Sequence, residues 1–358
     1  MPTRVHGAYP QPQASHAATT STHSSHHAHS AATHSHSHSH LTHSELKRLR
    51  QNHVDPPPGG LWCDRNLSLG RQPRVGLSSQ ELLREIRASE HGTSKDHADD
   101  HAILQRCSSL RDALVKHMAT AHRLGHATGN MSELLEFTAM GGGLASATSQ
   151  GSTSVAQFSW WARAAMILAR RRERDGLRTT TVCETGFNWG TSSLAALCAS
   201  PHTRVYSFDL RQGYRTSVDS QQKPLIFSAA AWLKATFPDR LTLTLGDSLN
   251  DVPMLWRRLR PDGMRPQARL LDDFPEACDL TLVDGGHDLR FAYPDMRNFR
   301  CAARVGSLMV ADDCDYSQKT GKPGPPLAYK RMVSEGRVRH VEAVNFTAYK
   351  QTCVGEFA

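Results

Sequence analysis

Carboxylates stand at the ends of five short apolar segments, and their types and spacing are the first sign of chemistry in this chain. They are Glu184, Asp209, Asp247, Asp284 and Asp312. The segments before them are rich in β-branched and aliphatic residues, as buried strands are. In an open α/β sheet, ligands bind outside the carboxyl ends of the strands. We therefore expect these five acids to line one edge of a sheet.

Two of these acids belong to longer polar motifs, Asp284-Gly-Gly-His287 and Asp312-Asp313. If their strands are neighbours, three carboxylates and one imidazole meet at the edge. Carboxylates so close repel one another unless a cation or protons compensate, and Mg²⁺ could do so. The ion could bind an acceptor hydroxyl and lower its pKa, and His287 could then take the proton as a general base. The alternative is that His287 caps the next helix or packs beside a cofactor, and that Asp313 is merely exposed.

A glycine-rich turn follows the first segment, Thr180 to Glu184, and precedes a predicted helix from Thr191 to Ala199. Strand, glycine-rich turn and helix form the unit that cradles a phosphate or nucleoside in doubly wound sheets. The glycines Gly186 and Gly190 do not have the G-x-G-x-x-G spacing, which disfavours a nicotinamide-dependent oxidoreductase. An acid inside the turn suits a cationic ligand or hydroxyl groups better than a pyrophosphate.

This turn resembles motif I of the class I S-adenosylmethionine-dependent methyltransferases, which usually reads acidic-x-G-x-G-x-G. Glu184, Gly186 and Gly190 fall on the pattern, and Asn188 stands where the family has its middle glycine. Asparagine tolerates positive φ better than most residues. The resemblance covers about residues 141–358 and implies S-adenosyl-L-methionine as the cofactor.

The same resemblance implies roles for the acids. Asp209 would accept hydrogen bonds from the ribose hydroxyls, and Asp247 with Ser248 would recognise adenine. Glu184 would lie near the methionine amino group or the sulfonium. The implied cofactor-binding set is Glu184, Gly186, Asn188, Gly190, Asp209, Asp247, Ser248 and Asp284.

The motifs D-x-x-H and D-D resemble those of metal-dependent O-methyltransferases that modify macrolide sugars, and more loosely class I methyltransferase domains that carry D-G-x-H. By this resemblance Asp284, Asp312 and Asp313 are metal ligands and His287 is the base. The implied function is metal-assisted O-methylation of a hydroxyl on a small-molecule acceptor. The alternative from a different class is a non-catalytic nucleoside-binding or scaffold protein with the same fold.

The elements that must position these residues alternate between strands and helices, which predicts a parallel sheet with right-handed crossovers. We expect an α/β fold, a Rossmann-like doubly wound sheet of seven strands whose last strand is antiparallel. The predicted strands are 180–184, 204–209, 241–247, 278–284, 306–312, 339–344 and 351–357, with further helices at 155–174 and 225–237.

Three parts are predicted along the chain: a disordered tail rich in His and Ser (1–60), a helical N-terminal region (61–140) and the methyltransferase domain (141–358). Helices are expected at 79–88, 97–124 and 132–140. This helical region could be a cap on the domain or could join two copies into a homo-oligomer. Residues 141–154 read either as a mobile loop over the ligand mouth or as a plain linker.

Composition excludes some classes of partner. The formal net charge is +8, but no basic stripe is interleaved with aromatic residues, so no nucleic acid is expected. No apolar run approaches the roughly 18 residues of a membrane span. The eight cysteines form no CxxC pair. They predict free thiols in a reducing compartment, the cytoplasm, although the acid-poor N-terminus leaves organellar targeting open.

Overall fold

A computed structural model describes residues 79–91, 98–125, 153–177, 179–209, 219–249, 251–252, 278–314, 324–347 and 350–358. All of them belong to one compact unit, residues 43–358. The predicted tail, the predicted helix at 132–140 and nearly all of the predicted loop at 141–154 lie outside the described residues.

The described residues contain a seven-stranded sheet. In chain order its strands are β1 (Thr180–Thr185), β2 (Thr203–Asp209), β3 (Leu241–Leu245), β4 (Cys278–Val283), β5 (Ala303–Ala311), β6 (Val338–Thr347) and β7 (Lys350–Phe357). Every residue of β1 and β4 is buried. Burial on both faces is expected for central parallel strands covered by helices.

The strand order in space is β3-β2-β1-β4-β5-β7-β6. The pairs among β1 to β5 are parallel, whereas β7 is antiparallel to both β5 and β6. The direction of strand addition reverses between β1 and β4, and ligands bind at such a switch point. The predicted doubly wound sheet with an antiparallel last strand is therefore confirmed.

Seven helices are described around this sheet. They are α1 (Ser79–His91), α2 (Ala98–Gly125), α3 (Val155–Arg174), α4 (Thr191–Ala199), α5 (Asp219–Thr236), α6 (Leu289–Ala302) and α7 (Gly324–Ser334). Helix α3 packs against α4, α2 packs against α4 and α5, and α6 packs against α7. Twelve of the twenty residues of α3 are buried, and most of them are the apolar residues between Phe158 and Ala169.

The two N-terminal helices bury their apolar stripes within this unit. Leu82, Leu83 and Ile86 of α1 and Leu114 of α2 belong to the main hydrophobic core. At the start of α1, the Ser79 hydroxyl donates to the Glu356 carboxylate of β7 at 2.7 Å. These contacts favour the cap over the dimerisation element, because the predicted apolar faces are already covered inside one chain.

The cysteine prediction is wrong. Disulfides join Cys107 to Cys198, Cys183 to Cys278 and Cys314 to Cys353, and Cys301 is also disulfide-bonded. The first connects α2 to α4, and the last connects the loop after β5 to β7. The partners lie 91, 95 and 39 residues apart in sequence, so local spacing carried no sign of the pairing. Disulfides persist in oxidising compartments, so they do not support the predicted cytoplasmic location.

Candidate active site

The five predicted acids lie along one edge of the sheet. Backbone hydrogen bonds join the loops at this edge, with Asp284 N to Thr185 O at 3.0 Å and Asp312 N to Val283 O at 3.0 Å. On the other side of β1, Gly186 N donates to Phe208 O at 2.8 Å. The carboxyl ends of neighbouring strands are therefore held side by side, as the prediction required.

The glycine-rich turn has the conformation that its sequence allows. Gly186, Asn188 and Gly190 all have positive φ, at 89°, 46° and 72°. Asn188 thus takes the left-handed conformation in place of the family's middle glycine. A Cβ at Gly186 would overlap the carbonyl oxygen of Asp284 and lie 2.6 Å from its carbonyl carbon. The turn therefore lies directly against the backbone of the loop after β4, and this approach requires glycine.

Glu184 is buried as the fifth residue of β1 rather than at its end. One carboxylate oxygen accepts a hydrogen bond from the Ser193 hydroxyl. The other, Oε2, has no hydrogen-bond partner among the described residues. Burial raises the pKa of the Glu184 carboxyl above its usual range, and the surrounding serine hydroxyls oppose that rise. A cationic donor beside Oε2 would satisfy this orphaned oxygen and favour the carboxylate.

Asp209 lies at the end of β2, next to the turn. Its Oδ2 accepts a hydrogen bond from the backbone N–H of Asn188 at 2.6 Å. The side chain is partly exposed, so it can also accept hydrogen bonds from a ligand. Asp209 and the glycine-rich turn are therefore one connected unit.

Asp247 and Ser248 follow β3. Asp247 is exposed, and its Oδ1 accepts from the backbone N–H of Leu249 at 3.0 Å. The Ser248 hydroxyl donates to Asp295 Oδ1 on α6 at 2.6 Å. Burial raises the pKa of Asp295 to about 7, although hydrogen bonds from Ser248 and Thr185 oppose that rise.

Asp295 connects the loops after β3 and β4, and it was not among the predicted site residues. A Cβ at Gly285 would lie 2.9 Å from its Oδ2. It sits on α6 among the buried residues Ala292, Met296 and Phe299. An acid within an apolar helical face was the signal that could have identified it.

The structure brings Asp284, His287 and Asp313 together. His287 Nε2 lies 2.7 Å from Asp313 Oδ2 and 3.9 Å from Asp284 Oδ1. The N-cap of α6 is Asp288, whose side chain accepts from Arg290 N, so His287 is not the cap. Asp313 is buried in a tight turn with φ of 49°, so it is not merely exposed.

Asp312 has different neighbours. Its Oδ1 accepts from Gln157 Nε2 at 2.7 Å and from the Thr352 hydroxyl at 3.0 Å, and its Oδ2 lies 2.5 Å from Lys350 Nζ. Burial raises the pKa of the Asp312 carboxyl above its usual range, and Lys350 opposes that rise. Sequence reasoning missed Gln157 on α3 and both residues of β7.

Three residues other than Asp312 form a group that could bind a cation. Among the described residues, ligand atoms of Asp284, His287 and Asp313 lie within 4.8 Å of one another. Two carboxylates and one imidazole fit a divalent ion. The predicted set of Asp284, Asp312 and Asp313 fits less well, because Asp312 does not belong to this group and already has Gln157, Thr352 and Lys350 as partners.

In the metal-free protein, we expect His287 to titrate near pH 9. Burial alone would lower its pKa, but hydrogen bonds and charge from Asp284 and Asp313 outweigh burial and raise the pKa to about 9. The folded-state pKa lies above the ordinary value of 6.5. The charged ring therefore stabilises the fold below pH 6.5, and this contribution is lost as the pH rises through about 9.

Proton NMR titration of the imidazole, assigned with His287→Gln, measures this pKa. Asp313→Asn should lower it by about one unit or more, because the nearest carboxylate charge is removed. Asp99→Asn, at an exposed position on α2, is the control and should leave the titration unchanged. A wild-type pKa near 6.5 for His287 would contradict its contacts with Asp284 and Asp313.

Comparison with known proteins agrees with the methyltransferase prediction. A family model described as a methyltransferase domain matches residues 183–314, which include the glycine-rich turn, Asp209, the D-G-G-H loop and both acids after β5. A comparison with curated protein sequences gives no match. No described helix is both long enough and apolar enough to cross a bilayer.

Two solved structures are similar at low identity. Cofactor-bound Rv0187 from MTB is 15% identical, with a TM-score of 0.40 over 64% of this chain and 91% of that one. The S-adenosylhomocysteine-bound Podospora anserina methyltransferase PaMTH1 is 13% identical, with a TM-score of 0.39 over 74% and 97%. The fold assignment itself stands on the observed strand order.

The strand order is the one predicted for a class I methyltransferase fold, and the matched methyltransferase-domain model includes the glycine-rich turn. The predicted resemblance is therefore confirmed. Residues 183–314 are the part of the chain that the family model covers, and β6 and β7 lie beyond it.

Proposed function

We propose that this protein transfers the methyl group of S-adenosyl-L-methionine to a hydroxyl oxygen of a small molecule. The observation that carries the proposal is the unit formed by the glycine-rich turn, Asp209 and the buried Glu184 at the switch point of the sheet. It places two carboxylates beside one turn, of which Asp209 would bind hydroxyl groups and Glu184 would bind a cation.

The cofactor would be held by residues of this unit and its neighbours. Asp209 would accept from the ribose hydroxyls, and Oε2 of Glu184 would accept from the methionine ammonium. Gly186, Asn188 and Gly190 would let the ligand approach bare backbone. When bound, the cofactor supplies a methyl group on a sulfonium, so the main task of the protein is in-line placement of the acceptor.

The adenine would lie beside the loop after β3, with Asp247 accepting from its exocyclic amine. The hydroxyl of Ser248 already donates its hydrogen bond to Asp295 at 2.6 Å. A backbone N–H of this loop would instead donate to a ring nitrogen of adenine. Asp284, against the turn, would close the pocket towards β4.

On the acceptor side, His287 would take the proton from the acceptor hydroxyl at Nε2. Asp284 and Asp313 would orient the ring and would stabilise its charged form. A divalent ion such as Mg²⁺, held by Asp284 and Asp313, would lower the pKa of a bound hydroxyl and would leave the imidazole to act as the base. We assign the catalytic domain to 141–358 and a covering helical region to 61–140.

Asp209→Ala should weaken binding of S-adenosylhomocysteine by at least about 100-fold. The substitution removes hydrogen bonds to two ribose hydroxyls, and a bond to a charged acceptor contributes about 1.5–3 kcal/mol. Calorimetric titration with and without Mg²⁺ measures the affinity. Asp175→Ala is the matched control, because Asp175 is exposed at the C-terminal end of α3. The affinity of this variant for S-adenosylhomocysteine should equal that of the wild type.

Absence of binding by the wild-type protein, with or without Mg²⁺, would contradict the proposed function. If binding is tight but no hydroxyl acceptor in a broad panel is methylated, the nucleoside-binding scaffold is the better description. If an acceptor is methylated, Asp284→Asn and His287→Ala serve as controls in the assay, since each should lose methyl transfer while the fold persists.

A further inference from the structure

Lys350 lies at the carboxyl edge because β7 runs opposite to β1–β5. It is the first residue of β7 and pairs with Thr347 at the end of β6. An antiparallel strand begins where its parallel neighbours end, so its first side chain reaches the same edge as their last ones. Lys350 lies outside the segment that the family model matches.

The ammonium of Lys350 contacts both acids of the D-D pair. Nζ lies 2.5 Å from Asp312 Oδ2 and 3.0 Å from Asp313 Oδ1. The Lys350 side chain is only 16% exposed. The neighbouring carboxylates hold the pKa of Lys350 above its usual range, although burial alone would lower it. A positive charge is therefore built into the place where the sequence suggested a metal ion.

The remaining contacts of Asp312 hold it in this pair. Gln157 and Thr352 both donate to its Oδ1. The disulfide between Cys314 and Cys353 joins the residue after Asp313 to the residue after Thr352. In addition, Cys314 N donates to Gln351 O at 2.9 Å. The acidic loop is thus attached to the three residues of β7 that follow Lys350.

We propose that Lys350 is the resident cation of this edge: it neutralises Asp312 and Asp313 and thereby limits binding of a divalent ion at Asp284, His287 and Asp313. Lys350 is a positioning residue, because it acts through the two aspartates. The catalytic consequence of this inference rests on the proposed function. With Asp313 paired to Lys350, His287 and Asp284 would be the residues that act on the acceptor.

Binding of Mn²⁺ alone tests the inference without any acceptor. Lys350→Met should bind Mn²⁺ at least about tenfold more tightly than the wild type, because a competing positive charge leaves the carboxylates. Lys350→Arg should resemble the wild type, since it keeps the charge. Lys116→Met, at an exposed position on α2, is the matched control and should also resemble the wild type. Free Mn²⁺ is measured by its electron paramagnetic resonance signal.

Lys350→Met leaves Asp312 buried without its cation and could fail to fold, so a second variant is needed. The double variant Lys350→Met with Asp312→Asn removes both charges, and it should also bind Mn²⁺ more tightly than the wild type. Affinity that is unchanged or weaker in the folded variants, or no Mn²⁺ binding by any of them, overturns the inference. Affinity for S-adenosylhomocysteine is measured in parallel. If no variant and no wild-type protein binds it, this result counts against the proposed function and not against the inference on Lys350.

Discussion

Gly186→Ala should abolish measurable binding of S-adenosylhomocysteine and lower the free energy of unfolding by about 2–5 kcal/mol. Two costs add at this position. A left-handed conformation costs a residue with a Cβ about 1–2 kcal/mol. Forcing a methyl group into packed backbone adds about 1–3 kcal/mol. The added methyl would meet the carbonyl group of Asp284, and neither backbone can move without disturbing β1 or β4.

Gly336→Ala is the matched control, because it shares the first cost and lacks the second. Gly336 has φ of 67°, and a Cβ added there would have no heavy atom within 4 Å beyond its chain neighbours. It should lose only about 1–2 kcal/mol and should keep its affinity for S-adenosylhomocysteine. Urea denaturation and calorimetry measure both quantities. Equal losses in the two variants would mean that the turn does not lie against the loop after β4.

Removing the disulfide between α2 and α4 should have the second large effect. We expect Cys107→Ala with Cys198→Ala to lower the free energy of unfolding by about 2–5 kcal/mol, as loss of a native disulfide does. Both cysteines are buried in the main core, so the small cavities add to this cost. The folded fraction should still bind S-adenosylhomocysteine, since Cys198 lies at the end of α4 that is opposite to the glycine-rich turn.

The disulfide between Cys314 and Cys353 gives a comparison. It closes 39 residues rather than 91, so chain entropy alone predicts a loss that is smaller by about 0.8 kcal/mol. Its removal should alter Mn²⁺ binding at the acidic loop, whereas removal of the other should not. Stability that does not change when Cys107 and Cys198 are replaced would show that their thiols are unpaired.

Hydrophobic patterning was sufficient to predict the sheet, because each buried parallel strand is a short apolar run of its own. It also placed the five acids at one edge, since topology brings the ends of such strands together. The positive φ of Asn188 followed from residue type. These features depend on short stretches of chain and on general rules of α/β folds.

Features that depend on pairing between distant segments could not be predicted in this way. The cysteine partners come from different elements, and their spacing in sequence has no pattern. Lys350 could have been found, because an antiparallel last strand must begin at the carboxyl edge. Gln157 could not, since nothing in the sequence of α3 indicates that its first turn reaches Asp312.

The bond between Cys107 and Cys198 also decides what happens if a protease cuts the chain between them. Any single cleavage from residue 108 to 197 would leave two fragments that are still covalently joined, because the bond spans 91 positions. The cut protein would run as one band on a denaturing gel without reductant and as two bands with it. Helix α2 therefore cannot be released by one cut in this interval alone, and its departure would also require a reductant.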